Sequence, residues 1–532
     1  MLSRRSLLAT GIGSGAALAL PRIVRAQAAS TLKVIPQIDL SILDPHTTTA
    51  YITRNYGYMV FDTLYGMDAD YRATPQMVEG HVVDDGGKIW TLRLRDGLLW
   101  HDGERVLARD CTASIRRWAK RDPLGEALMA ATDELSAPDD RTLRFRLNRP
   151  FALLPDALGK APSPMPAMMP QRLAETDPFK PIAEIVGSGP FRFVASERVA
   201  GARNVFARFD KYKPRADGAV TWTSGPKVAH FDRVEWTTIP DPATASAAIL
   251  SGEQDYWETA VHDTLPVLRR NASVVIAVPD PTGNCSMMRA NHLQKPFSNP
   301  AIRRALLYAI DQNACMQSFV GDNPEMISTP LGTFPPRTPL ASDVGLEPLQ
   351  GPRDLARVKE MLKQAGYAGE KVVLIVASDY AFLKSMADVL ADTMQRCGMN
   401  VDYVLTDWGT MLQRRNKKDP VDQGGWSVFV TNWAGLDHLT PATHIALRGN
   451  GDSPSSWPGW CLSPKLEELR TAWFAAPDLA AQQVIGRDMQ RQAMTDVPYW
   501  PLGQFFQPIA YRKDLTGVLP GFATFWNIRR AG

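Results

Sequence analysis

Cysteine is the first thing this chain is short of. Five occur in 532 residues (Cys111, Cys285, Cys315, Cys397 and Cys461), with no CxxC spacing and an odd total. At least one is unpaired within a monomer, so a disulfide framework is not expected to hold the fold. Hydrolase signatures are missing too: there is no GxSxG, no HExxH and no paired Cys/His cluster. The eight histidines are scattered, and His438 and His444, six apart, have no carboxylate at ligand spacing. No catalytic residue and no metal site is read. Gly11, Gly13 and Gly15 echo a dinucleotide loop but precede no βαβ unit. Gly187-Ser188-Gly189 has no Lys-Ser/Thr after it, which removes a phosphate cradle. No cofactor is expected.

Charge of one sign is also lacking. The formal balance is +3, from 59 basic and 56 acidic residues. Arg4, Arg5, Arg22 and Arg25 lie in a segment expected to be removed; without them the count is 55 against 56, or −1. No basic patch argues for nucleic acid. Residues 1–28 read as an export signal. Ser3-Arg4-Arg5-Ser6-Leu7-Leu8 resembles the twin-arginine motif, and a mildly apolar, Gly- and Ala-rich stretch follows it. Cleavage is expected after Ala26 or Ala28. No cysteine lies nearby, so no lipid anchor is expected. Beyond this segment no apolar run reaches the 18 residues of a membrane span. The expected product is an exported, periplasmic, monomeric protein.

What is present is a long α/β pattern, too long for one compact domain. Thr31 to Ile35 reads as a strand, and Tyr51, Asn55 and Tyr56 open a helix. Between Asp84 and Trp118 lie a turn (Asp84-Asp85-Gly86-Gly87), then a strand with Trp90, Leu92 and Leu94 on one face. Two Asp-Gly turns follow at 96–97 and 102–103, then a helix with Cys111, Ile115 and Trp118 at i, i+4, i+7. Leu143, Phe145 and Leu147 alternate as a second amphipathic strand. Residues 161–170 form a Met- and Pro-rich loop or short helical entry whose methionines read as core filler. Pro242 to Leu250 is a helix closed by Gly252. Ile302, Ala305, Leu306, Ala309 and Ile310 give a clean apolar helical face. Val372 to Ala377 is a continuous apolar strand, as in a sheet covered on both sides. Helix and strand follow at 382–396 and 401–405.

The segment from Trp90 to Asp110, Trp-Thr-Leu-Arg-Leu-Arg-Asp-Gly-Leu-Leu-Trp-His-Asp-Gly and on into the helix, resembles the signature of the extracellular solute-binding proteins of family 5, the peptide- and nickel-binding class of ABC importers. Leu43-Asp44-Pro45, Val186 to Phe193, Leu250 to Asp255 and Arg303 to Asp311 repeat the family's pattern in order. The resemblance covers nearly all of the chain after the signal. It implies a type II two-lobe periplasmic-binding-protein fold, α/β, with an extra subdomain inserted in the first lobe. The first lobe is expected at 29–70, 186–276 and 488–532, the inserted subdomain at 71–185, and the second lobe at 277–487. It implies a ligand enclosed between the lobes and delivered to the permease subunits of an ABC transporter, with no covalent chemistry.

Site residues follow from the same resemblance. Trp408 and Arg415 match a Trp-x-x-x-Leu-x-x-Arg helix: the Trp offers a flat wall and an indole donor, the Arg a fork for a carboxylate. The Trp433 to Asp437 run matches the place where peptide binders hold the ligand's α-amino group, with one residue more than the family spacing. Asp437 is therefore an amine partner or a helix cap before Pro441. Gln504 and Phe505, on the last long strand, are expected to face the cleft. Thr48, in Thr47-Thr48-Thr49, is a cleft edge or a helix cap. The ligand is expected to be a peptide or similar small solute. The aromatic loop at Trp457 and the long Trp433–Asp437 spacing keep a metal chelate, haem, an opine or a sugar open. An exported hydrolase is the less favoured reading.

Overall fold

The computed structural model describes residues 31–453 and 456–531. The export-signal segment 1–28 lies outside the described residues. Among these residues no helix is long and apolar enough to cross a membrane.

Two mixed sheets carry the fold. The first has seven strands, in the order Val274–Ala277, Ile509–Arg512, Tyr256–Trp257, Thr31–Ile35, Arg233–Thr237, Arg203–Arg208, Phe191–Phe193. Its centre is parallel: Thr31–Ile35 pairs with Arg233–Thr237 on one side and Tyr256–Trp257 on the other. The second sheet has six strands, Ile327–Ser328, Tyr499–Phe505, Asn284–Ala290, Val428–Ala434, Lys371–Ala377, Asn400–Thr406. A four-stranded antiparallel sheet, Val78–Asp84, Ile89–Leu94, Thr142–Leu147, Thr132–Ser136, is drawn from one continuous stretch of chain. Its alternation is visible in the burial: Trp90, Leu92 and Leu94 are buried and Arg93 exposed.

One expected boundary is corrected. The first lobe was expected to resume at 488, but Tyr499–Phe505 lies in the second sheet, paired with Asn284–Ala290. The chain rejoins the first sheet only with Ile509–Arg512. Leu502, Phe505 and Phe506 pack in the second sheet's core, whereas Ile509 packs in the first. The crossing therefore occupies residues 506–508, and it runs beside the other crossing at 278–283.

Local chemistry explains most element ends. Asp122, Asp241, Asn299, Asp311, Asp354, Asp407, Ser463 and Asp478 each cap a helix by accepting from a backbone N–H of its first turn. Lys371–Ala377 is buried along all but its first residue, as its apolar run implies. Met165, Met168 and Met169 are fully buried and irregular in backbone, which suits an unbranched thioether filling an uneven core. Gly187 has no room for a side chain: a Cβ there would overlap the Val60 carbonyl, so the turn is pressed against the Tyr51–Val60 helix.

Several histidines are buried in neutral form. His438 and His444 stack with ring centroids 3.8 Å apart and planes 8° off parallel. Burial pulls the His438 pKa down to about 3. Its folded pKa thus lies below the ordinary 6.5, so the neutral ring's contribution is intact above pH 6.5 and lost as pH falls toward 3. At pH 5.5 the unfolded chain takes up a proton that the folded chain refuses, costing about 1.4 kcal/mol. Unfolding midpoints in urea measured from pH 7.5 to 5.5 are expected to decline, and His438→Gln to remove that part of the slope.

Candidate functional site

The two crossings meet at a joint built from residues of both sheets. Gly435 N donates to the Gly283 carbonyl at 2.7 Å. A Cβ on Gly435 would overlap the Thr282 carbonyl, so the approach demands glycine. Gln504 Nε2 donates to that same carbonyl at 2.6 Å. Opposite lies the N-terminus of the Tyr51–Val60 helix. The Tyr51 hydroxyl donates to Asp437 Oδ2 at 2.6 Å and accepts from Ala434 N at 2.6 Å, tying that helix to the second sheet.

The predicted residues fall into two groups. Trp433 and Gln504 both stand opposite Cys285 on neighbouring strands, so they share one face of the sheet. Trp433 meets Trp457 with centroids 5.7 Å apart, and the Arg415 guanidinium lies 5.6 Å from the Trp457 ring centroid. Asp437 joins this group through Tyr51. The second group is Trp408 and Phe505. Phe505 follows Gln504 in the strand and so points to the other face. It packs edge-on to Phe319 at 4.9 Å and tilted on Phe382 at 5.9 Å; Phe382 meets Tyr380, which meets Trp408 at 5.1 Å. The Trp408–Arg414 helix links the groups, since Trp408 and Arg415 are two turns apart on one face, roughly 10 Å along the axis. Thr48 joins neither group: its hydroxyl accepts from Ala50 N in a local turn, and the helix that follows has no side-chain cap. Asp437 lies within a 3-10 turn, Gly435–His438, and its carboxylate is held by Tyr51, not by a helix start.

The electrostatics are unusual. Burial pushes the Asp437 carboxyl above its ordinary pKa, against the lowering pull of the Tyr51 hydroxyl and Arg54. Burial raises Asp280 and Glu258 likewise. Burial draws Arg415 down to about 10. None of these five charged groups, Arg54 included, belongs to an ion pair among the described residues. Elsewhere some buried charges are paired, as in Arg117–Asp44 at 2.8 Å and Lys227–Asp62 at 2.7 Å, and others, such as Arg303, are satisfied by backbone carbonyls. Several polar atoms here are buried with no protein partner: Arg415 Nε, Trp433 Nε1, Gln504 Oε1 and Arg54 Nη1. Buried polar atoms are nearly always satisfied, so these four are open to partners that arrive from outside, as are unpartnered atoms elsewhere such as Gln76 Nε2 to partners of their own.

Sequence reasoning passed over four residues here. Tyr51 and Arg54 sit in a segment read only as a helix start. Asp280 lies in Pro279-Asp280-Pro281, a turn signal with nothing to separate it from other turns. Arg289 carries no local signal in the sequence. It is fully buried, donates to the carbonyls of Pro458, Ala446 and Pro498, and lies 4.9 Å from the Trp457 centroid. It fixes the Trp457 loop against the strand. Only the aromatic loop itself gave a signal.

The profile of the bacterial extracellular solute-binding proteins, family 5 (middle region), matches residues 72–453. The chain belongs to that family. Over its full length it is 35% identical to the "Probable peptide ABC transporter periplasmic-binding protein" of Sinorhizobium fredii, covering 100% of both chains. It is 24% identical to the glutathione-binding protein of Pectobacterium atrosepticum, over 98% of this chain and 96% of that one. Among solved structures it resembles the Helicobacter pylori periplasmic binding protein DppA in complex with a peptide, at a TM-score of 0.78, 20% identity, and 96% and 100% coverage. It also resembles the Agrobacterium tumefaciens protein AgaA in complex with agropinic acid, at 0.77, 22%, and 94% and 98%. These likenesses show the type II two-lobe fold. This solute-binding protein thus has two sheets and, between them, a joint lined by unpaired polar groups.

Proposed function

We propose that the protein is the periplasmic receptor of an ABC importer and that it closes on a peptide-sized solute carrying an ammonium at one end and a carboxylate at the other. The observation that carries this reading is the set of buried (Asp437) and half-buried (Asp280, Arg415) charges at the joint that belong to no ion pair among the described residues. Asp437 and Asp280 form an anionic end with neutral hydrogen-bond donors only; Arg415 forms a cationic end over aromatic rings. A short peptide supplies the missing partner at each end, and Trp433 and Trp457 supply flat walls for what lies between. The 35% relative described as a peptide-transporter binding protein supports the same class. Closure around such a ligand is a hinge motion at residues 278–283 and 506–508. The sequence has no GxSxG, no HExxH and no paired Cys/His cluster, and binding without turnover is the favoured reading. Export through residues 1–28, cleavage after Ala26 or Ala28, a monomeric state and delivery to permease subunits belong to the same proposal.

A thermal-unfolding screen of the purified protein against di- and tripeptides tests it. A true ligand at a hundredfold excess over its dissociation constant is expected to stabilise the protein by about 2.7 kcal/mol. Asp437→Asn is expected to abolish that gain. A panel that leaves the melting curve unmoved would count against the peptide class.

A further inference from the structure

The anionic end of the site contains a cation that a simple amine ligand would not use. Arg54 is 5% exposed, with its guanidinium carbon 4.0 Å from the Phe522 ring centroid and 4.8 Å from that of Tyr51. Packed between two rings it has little freedom to turn. Its Nε donates to Asn55 Oδ1 at 3.1 Å, but its Nη1 is buried and finds no acceptor. Its field reaches Asp437, Asp280 and Glu258. Yet each carboxylate is held by neutral donors: Asp437 by Tyr51, Asp280 by Thr282, and Glu258 by Gln37 and Asn55.

This arrangement asks for a ligand group of both signs. An ammonium alone would compensate Asp437 and Asp280 but would stand beside Arg54 as a like charge. A carboxylate alone would meet Asp437 and Asp280. An α-amino-acid head, with ammonium and carboxylate on one carbon, answers both: three N–H donors toward Asp437 and Asp280, and an acceptor for Arg54 Nη1. We infer that Arg54 is a specificity-determining residue that selects ligands whose α-ammonium and α-carboxylate are both free, the rest of the molecule being joined through the side chain. With a second carboxylate at Arg415, as in the function proposed above on which this rests, the class is a side-chain-linked amino-acid conjugate such as a γ-glutamyl peptide. An ordinary α-linked peptide has an amide where this head has its carboxylate.

Isothermal titration calorimetry of the full protein tests the assignment with three probes: γ-glutamyl-alanine, the same molecule with its α-carboxylate converted to the carboxamide, and alanyl-alanine. Wild type is expected to bind the first at least about tenfold more tightly than the second. Arg54→Gln is expected to reduce that ratio to less than about threefold, chiefly by weakening the first. Equal affinity of wild type for acid and carboxamide overturns the inference, as does an undiminished ratio in Arg54→Gln. The wild-type comparison needs no variant to fold. Tight binding of alanyl-alanine without γ-glutamyl-alanine overturns the Arg54 assignment and leaves the peptide reading standing. No binding of any probe overturns both.

Discussion

Replacing Arg415 by alanine is expected to weaken ligand binding by about 2–5 kcal/mol, a loss of roughly thirty- to several-thousand-fold in affinity. The size follows from its surroundings. The guanidinium is largely desolvated, sits 5.6 Å from the centroids of both Phe429 and Trp457, and forms no ion pair among the described residues. Burial has drawn its pKa down to about 10, so the site already bears the cost of keeping it charged. A ligand carboxylate that reaches it trades no existing partner and gains a two-pronged contact. Arg415→Lys keeps the charge but loses the fork, so it is expected to recover only part of the affinity. The free protein is expected to become no less stable in urea on Arg415→Ala, since removing an unpaired, half-buried cation relieves desolvation. Loss of affinity together with loss of stability would assign Arg415 to the core instead. Calorimetry with the peptide found by thermal screening, beside urea unfolding, separates the two.

Asp44→Ala is expected to destabilise the protein by about 3–5 kcal/mol, read as a lower urea midpoint. Asp44 is the acid of Leu43-Asp44-Pro45 and is fully buried. Its oxygens accept from Arg117 Nη1 at 3.2 Å and Nη2 at 2.8 Å, from His46 N at 3.0 Å and from Ile182 N at 3.0 Å. It thereby pins the helix Ala108–Ala119 and the 181–182 segment to the loop that enters the Tyr51–Val60 helix. Truncation leaves the Arg117 cation buried without its carboxylate, which is the larger part of the cost. The double replacement Asp44→Ala, Arg117→Met removes that unpaired charge and is expected to recover a part of the loss. A double variant as unstable as the single one would mean that the backbone donors, not the ion pair, carry the effect.

Much of this fold could be read from the chain because local signals agreed with the final packing. Thr31–Ile35, Ile89–Leu94 and Lys371–Ala377 appear where alternation or an unbroken apolar run placed them. Pro242 and Pro464 open helices as Pro does in a first turn, and Gly252 closes one at a φ of +77°. The placement of Tyr499–Phe505 was misread because a strand's sequence does not say which sheet it joins. Alternation shows a face; partners come from topology. The site was partly legible for a related reason. Trp433 and Arg415 stood in family-like runs and do meet Trp457. Tyr51 and Asp437, 386 residues apart, meet only after both sheets are built. Arg54 and Asp280 carry no local mark at all, because their role depends on which charges are left unpaired in three dimensions. Thr48 shows the reverse: a conspicuous polar run whose hydroxyl serves only its own turn.

The most direct test of the central claim is native mass spectrometry of the purified protein mixed with the peptide found by thermal screening, followed by denaturing release. One peptide per chain, held without covalent attachment, recovered at its original mass and absent from Asp437→Asn, is the result this account predicts. Recovery of the peptide cleaved, or equal retention by wild type and Asp437→Asn, would contradict it.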